Sequence, residues 1–274
     1  MTRPRPHGSV WLYALSWNET RMLPFFFRHY DAWVDRYIIY DDGSTDDTLD
    51  QLRAHGRVEV RRFTRAIPDS FVESARIWQN EVWKEARNQA RWVVLTAVDE
   101  HIHHPDMPSY LRSQAKAGAT AMPALGFNMV ADTFPPAGTH LATTLRRGMP
   151  HVEMNKLSVF DPNGLDETDF APGRHAAKPT GRVVYPESDE LLNLHYKYLD
   201  RHYLEARHAL LLTGLGTGDL TQNLGFQYQW TKGRMDSHWD SMLRDAIDYR
   251  EASVGFTTHF DRWWRPARVR GRST

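Results

Sequence analysis

The first hundred residues alternate short apolar runs with longer mixed segments, and this alternation constrains the fold more than any other feature of the chain. Residues 10–15 form a compact apolar run of strand length. Residues 18–33 open on Asn18-Glu19 and carry Pro24 early, which suits a helix start. Tyr37-Ile38-Ile39-Tyr40 is β-branched and aromatic, and a cluster of Asp, Gly, Ser and Thr stops it abruptly. The pattern then predicts a short helix over 46–54, a strand over 58–63 and a long helix over 70–90. Residues 92–98 are continuously apolar, as in a strand buried on both faces. Strands alternating with helices predict an α/β fold with a doubly wound, mainly parallel sheet. Ligands of such sheets sit beyond the carboxyl ends of the strands. The acidic clusters Asp41-Asp42 and Asp99-Glu100 fall at those ends.

Beyond Pro105 the pattern loosens. A helix is expected over 107–117 and a strand over 120–129. A Pro-, Gly- and Thr-rich excursion follows over 132–155, then short strands over 156–160, 182–185 and 191–196. From residue 200 to about 250 the chain reads as helical, broken at 214–218, and it ends in a basic tail from Arg262 to Arg272. Hydrophobic residues make up 41% of the 274, enough for a packed core. Lys+Arg and Asp+Glu are equal at 34 each, which argues against a nucleic-acid partner held by charge. The absence of cysteine excludes disulfides, thiolate metal sites and a cysteine nucleophile, and it fits a reducing cytosol. No stretch approaches the roughly 20 apolar residues of a spanning helix. The basic, proline-rich residues 1–9 lead into too short an apolar run for a signal segment. The expectation is a cytoplasmic protein with no transmembrane segment, with self-association left open.

A nucleotide sugar presents a base, a ribose and a diphosphate, and the diphosphate usually carries a divalent cation bound by carboxylate oxygens. Asp41 suits the first task and Asp99 the second; a polar turn in which Asp46 caps the next helix is the plainer account of residues 41–46. The stretch Tyr37-Ile-Ile-Tyr-Asp-Asp-Gly-Ser-Thr-Asp-Asp-Thr48 resembles the signature after the second strand of family 2 glycosyltransferases with the GT-A fold. Residues 17–30 resemble the preceding helix in a bacterial subgroup, and Gly173-Arg-His175, Leu194-His-Tyr-Lys-Tyr198 and Tyr203 to Arg207 resemble later parts of it. The likeness runs over roughly residues 10–210.

The resemblance implies a GT-A catalytic domain over 1–198, with a donor-binding half at about 8–105 and an acceptor half at about 106–198. A helical extension with the basic tail would occupy 199–274. It implies transfer of a hexosyl group from a nucleoside-diphosphate sugar, with inversion, to an unidentified acceptor, either a polysaccharide or a small natural product with an O or S nucleophile. Asp41 would contact the base, helped by Leu15, Trp17, Asn18 and Glu19, with Asp42 and Gly43 beside it. Gln79, Val98 and Lys197 complete the expected donor contacts. Asp99 would hold Mg or Mn, with His195 as a further ligand. The family's metal motif is Asp-x-Asp, and here its first carboxylate is replaced by Ala97. Metal dependence could therefore be weaker, because Lys and Arg can also neutralise a leaving diphosphate.

Inverting transfer needs a base to deprotonate the acceptor. Asp169 and His175, near the Gly-Arg-His motif, are the favoured candidates over Asp166-Glu167 and Asp189-Glu190. Two other arrangements compete. Asp99, His101 and His103 have strand spacing and could hold a transition metal. The chain could also be a degenerate GT-A fold kept for binding or assembly, or a sugar nucleotidyltransferase lacking its glycine-rich turn.

Overall fold

A computed structural model of the chain describes residues 8–251 and 262–265; the start at 1–7 and the tail at 266–274 lie outside the described residues. The first part runs β1 (Val10–Ser16), α1 (Leu23–Tyr30), β2 (Arg36–Asp41), α2 (Thr48–Ala54), β3 (Val58–Arg62), α3 (Phe71–Glu81) and β4 (Trp92–Leu95). Next come β5 (Glu100–His103), α4 (Met107–Ala117), β6 (Ala121–Val130), α5 (Leu141–Thr144), β7 (Arg147–Pro150), β8 (Lys156–Phe160) and β9 (Leu192–Tyr198). The C-terminal part is α6 (Arg201–Gly214), α7 (Thr217–Thr221), α8 (Lys232–Asp245) and β10 (Ile247–Asp248).

The sheet runs β10-β7-β6-β8-β4-β1-β2-β3, with β9 bridging β6 and β5. Its first four strands are parallel, β1 lying between β2 and β4 with β3 outside β2. Beyond β4 the neighbours β8, β6 and β7 are antiparallel, whereas β9 runs parallel to β6. This is the expected α/β arrangement, a parallel half joined to a mixed half.

Strand alternation divides the core between the two faces of the sheet. Leu12, Ala14, Tyr37, Ile39 and Val94 pack on the side of Phe26 and Leu52 from α1 and α2. Tyr13, Ile38, Val93 and Leu95 face the other way, toward Trp83, Phe160 and Phe170. Side-chain caps start four of the described helices: Ser70 accepts from Glu73 N, Asp106 from Ser109 N, Asp200 from Tyr203 N and Thr231 from Arg234 N.

Four local expectations change. The helix expected over 18–33 begins only at Leu23, because Asn18 adopts a left-handed backbone (φ 52°) and turns the chain first. The helix expected over 70–90 stops at Glu81 and tightens into a 3-10 turn, Val82–Ala86, whose Trp83 packs edge-on against Phe160. The strand expected over 92–98 ends at Leu95, leaving Asp99 on the following turn. No strand forms over 182–185, where Val184 N donates to the Thr120 side chain instead of a strand carbonyl, at 2.8 Å.

His101 also departs from its metal-site alternative. It is fully buried beneath α1, stacked on His29 (4.8 Å, 21°) and edge-on to Tyr196. His29 Nε2 lies 2.8 Å from the Ile102 carbonyl, so that nitrogen carries the proton. The rings meet through their faces rather than through convergent lone pairs, and no group of three or more metal-capable side chains occurs among the described residues. Burial lowers His29 to about 3 and His103 to about 4, and it drives His101 well down as well. The unfolded chain protonates these histidines near pH 6.5 while the folded protein does not. Their contribution to stability is therefore intact above about pH 6.5 and is lost as the pH falls toward about 4. Urea unfolding at pH 7.5 and 5.0 is expected to show a loss on the order of a few kcal/mol, and His101→Phe should shrink that difference. An equal difference in the variant would show that His101 is not one of the responsible groups.

Candidate active site

The carboxyl ends of β1 and β2 lie side by side, with Ser16 in register with Asp41. Asp41 is buried, and its carboxylate folds the next turn back on itself. Oδ2 accepts from Gly43 N and Ser44 N, both at 2.9 Å, while Oδ1 accepts from the Ser44 hydroxyl at 2.5 Å. Gly43 takes φ 79°, a conformation glycine adopts without a Cβ penalty. Asp42 has a different partner, Arg65, at 2.8 Å. Of the roughly four lone-pair positions on a carboxylate, Asp41 thus commits three to its own loop.

Asn18 joins this turn to the loop after β1. Its backbone N–H donates to Ser44 Oγ (2.9 Å), and its side-chain oxygen accepts from Thr45 N (2.7 Å) and Asp46 N (3.3 Å). Glu19 N donates to Thr48 Oγ1 at 2.7 Å, so a second bond holds the same pair of loops. Asp46 does not act as the helix cap itself; its carboxylate accepts from Thr48 N and Thr20 N.

Asp99 occupies the turn between β4 and β5, its side chain about one-fifth exposed (21%). Its Oδ2 lies 3.3 Å from His195 Nε2. The pairing of β9 with β6 sets His195 opposite Asn128, whose side-chain oxygen is 2.7 Å from His195 Nδ1. That contact directs Nε2 toward Asp99, as an oriented imidazole ligand requires. Lys197 follows on the same face of β9, with its ammonium 5.0 Å over the Tyr228 ring. Burial lowers the Lys197 pKa to about 8 against the opposing pull of Asp99. For Asp99 itself burial works upward, but His195, Arg207 and Lys197 outweigh it and hold the carboxyl well below its usual range.

Glu100, adjacent in sequence, belongs to the interior. Lys156 Nζ and Arg174 each lie 2.6 Å from its carboxylate, and all three side chains are buried. The Gly173-Arg-His175 motif is therefore split. Arg174 is an interior ion-pair partner, whereas His175 is exposed with Nδ1 at 2.6 Å from the Glu153 carbonyl.

The other expected residues fall in three places. Leu15 and Trp17 stay at the β1 end, both half-buried, with Trp17 lying against Gly214 of α6. Val98 is buried in the core, so its side chain has no part in the site and only its backbone is available. Gln79 sits on α3, its amide oxygen buried without a partner among the described residues. Asp169, exposed with φ 44°, lies on an outer depression beside α3 with Arg76, Glu81, Glu167 and Lys178, a set that includes neither Asp41 nor Asp99. Glu167 pairs with Lys84, and Asp189 is enclosed by Arg262, Arg265 and the Trp264 indole.

Arg207 of α6 is a site residue that the sequence did not single out. Its guanidinium donates to the Trp17 carbonyl (3.0 Å) and the Asn18 carbonyl (3.1 Å) and pairs with Glu19. The only prior signal was its place in the last motif, 189 residues from Asn18 in the chain. Asn128, which orients His195, carried no signal at all.

No protein-family model matches the chain, and no curated protein matches it either. Among solved structures it is similar to S. aureus TarS 1-349, at 10% identity over 75% of this chain and 64% of that one, with a TM-score of 0.38. It is also similar to glucosyl-3-phosphoglycerate synthase from Mycobacterium tuberculosis in complex with Mn2+, UDP and phosphoglyceric acid (16% identity, 61% of each chain, TM-score 0.35). A third similar structure is the mannosyltransferase Ktr4p from S. cerevisiae in complex with GDP (14% identity, 47% of this chain and 42% of that one, TM-score 0.32). The chain spans less than two thirds of the length of each of these proteins.

Proposed function

We propose that the chain is a glycosyltransferase that binds a nucleoside-diphosphate sugar across Asp41 and Asp99 and passes a hexosyl group to an O or S nucleophile with inversion. The observation that carries this reading is Asp99, kept ionised at a strand end of the parallel half beside His195, Lys197 and Arg207. The two bonded loops after β1 and β2 supply the nucleotide side, in the sequence pattern that resembles family 2 glycosyltransferases.

In the reaction the bond from the anomeric carbon to the diphosphate oxygen breaks, and its electron pair leaves with the diphosphate. The acceptor atom forms the new bond and loses its proton to a base. Fixed positive charge beside the departing oxygens stabilises that change, and Lys197 and Arg207 are the cations of this chain placed near Asp99. A carboxylate oxygen and an oriented imidazole nitrogen fit one side of a divalent cation, leaving its other positions to water and phosphate. Asp99 and His195 would hold Mg or Mn, which when bound supplies Lewis-acid neutralisation of the diphosphate. His175 is the better-supported base of the two candidates: with Nδ1 donating to the Glu153 carbonyl, its Nε2 is left as a proton acceptor. Asp169, on its outer depression, has no such support.

Incubation with a panel of nucleotide sugars and Mn, read as release of nucleoside diphosphate, tests the assignment. Asp99→Asn is expected to lower that rate on the order of 100- to 1000-fold while leaving the melting temperature close to wild type. Wild-type rates in that variant would sink the role of Asp99. His195→Ala should weaken Mn binding, measured by calorimetry without substrate, by about ten-fold or more; unchanged Mn affinity would remove His195 from the ligand set.

A further inference from the structure

Arg207 reaches the donor loops from α6, and its three acceptors are consecutive: the carbonyls of Trp17 and Asn18 and the carboxylate of Glu19. The middle residue makes the turn. Asn18 holds φ 52°, in the left-handed region that most residues with a Cβ avoid and that asparagine adopts more readily. From that backbone geometry the contacts run on without a gap. Asn18 N donates to Ser44 Oγ, Ser44 Oγ donates to Asp41, and the Asn18 side-chain oxygen receives Thr45 N. A second tie parallels the first. Trp17 lies against Gly214 at the end of α6, where an added Cβ would come within 2.8 Å of its ring. Arg65 bridges the Gly214 carbonyl (3.0 Å) and Asp42 (2.8 Å).

We infer that Arg207 is a positioning residue of the donor site, fixing the left-handed turn at Asn18 so that the loops after β1 and β2 keep a single relative geometry. The inference rests on the donor-site reading above. Arg207 suits this work because a planar guanidinium offers five donors in a fixed fork, enough for three neighbouring oxygens, whereas a lysine ammonium is a flexible point charge. The network also gives α6 a part in nucleotide binding, although its residues lie about 190 positions beyond the loop they hold.

The test compares full-length wild type, Arg207→Lys, and Arg207→Gln combined with Glu19→Gln, which removes the buried pair without leaving one charge alone. Binding of uridine, guanosine, cytidine, thymidine and adenosine diphosphates is measured by tryptophan fluorescence, and backbone exchange by deuterium labelling. Both variants are expected to bind the preferred diphosphate on the order of 10- to 100-fold more weakly. Exchange should quicken at residues 17–19 and 44–46 and stay unchanged across β2. The conservative lysine should fail to rescue binding even where circular dichroism matches wild type. Wild-type affinity in Arg207→Lys, which keeps the charge and guards against misfolding of the double variant, would overturn the role while leaving the donor site standing. If wild type binds none of the diphosphates, the donor-site reading falls and this role falls with it.

Discussion

Glu100 is enclosed between Lys156 and Arg174, each 2.6 Å from its carboxylate, in a part of the protein that water does not reach. An ionised carboxylate in such a place is strongly disfavoured unless its partners are close and its oxygens are satisfied. Burial works to raise its pKa, and the two cations hold it down to about 2. Arg174 also donates to the Leu95 carbonyl, so one cation ties the end of β4, the start of β5 and the turn at 172–174. The consequence for the site is geometric. Glu100 pairs with His195 across β5 and β9, and Tyr196 N donates to the Asp99 carbonyl at 2.8 Å, so the strand that the triad anchors also holds the turn carrying Asp99. Breaking the interior triad would therefore disturb the site through the placement of that turn.

The acidic pair that looks alike in sequence thus separates into one interior charge and one site charge, and the same happens at residues 41 and 42. Asp41 folds its own turn while Asp42 pairs with Arg65. With Ala97 in place of a further carboxylate, Asp99 shares this strand end with His195, Lys197 and the Arg207–Glu19 pair. Fewer carboxylates beside the same cations leave more positive potential over this strand end, which suits an anionic ligand. The proposed diphosphate would then meet charge supplied in good part by side chains, and a divalent cation would add to that field.

What the sequence made legible was local. The first three strands and the Asp-Gly-Ser turn depend on patterns within about ten residues. Those strands appear within one position of where the patterns put them, while the fourth starts at Trp92 as expected and ends three residues early. The failures are of a different kind. Asn18 reads as part of a helix start because its left-handed backbone is stabilised by Arg207, Thr45 and Asp46, none of which a local window contains. Residues 182–185 read as a strand, yet the Thr120 side chain intercepts the bond that a ladder would need. His101 and His103 have metal-like spacing, but α1 brings His29 and Tyr30 against His101 and turns it into a core ring. Asn128 meets His195 only through the β6–β9 pairing, across 67 positions of chain.

The helical stretch after β9 closes on the parallel half at two separate points. Arg207 holds the loop after β1, and the buried Asp219 of α7 receives the Ser70 hydroxyl (2.5 Å) and Phe71 N (2.7 Å) at the start of α3, together with Gly216 N (3.0 Å) at the start of its own helix. Each carboxylate bond there meets a helix N-terminus whose N–H groups have no partner within the helix, and the helix dipole favours the negative charge. Asp219 thus anchors α3 much as Arg207 anchors the Asn18 turn, with opposite charges chosen for opposite needs: donors at a helix start, acceptors at a turn. These contacts join residues about 150 to 190 positions apart, which only the tertiary fold brings together. The proposed donor loops are thus held in part by residues that lie outside the parallel half of the sheet.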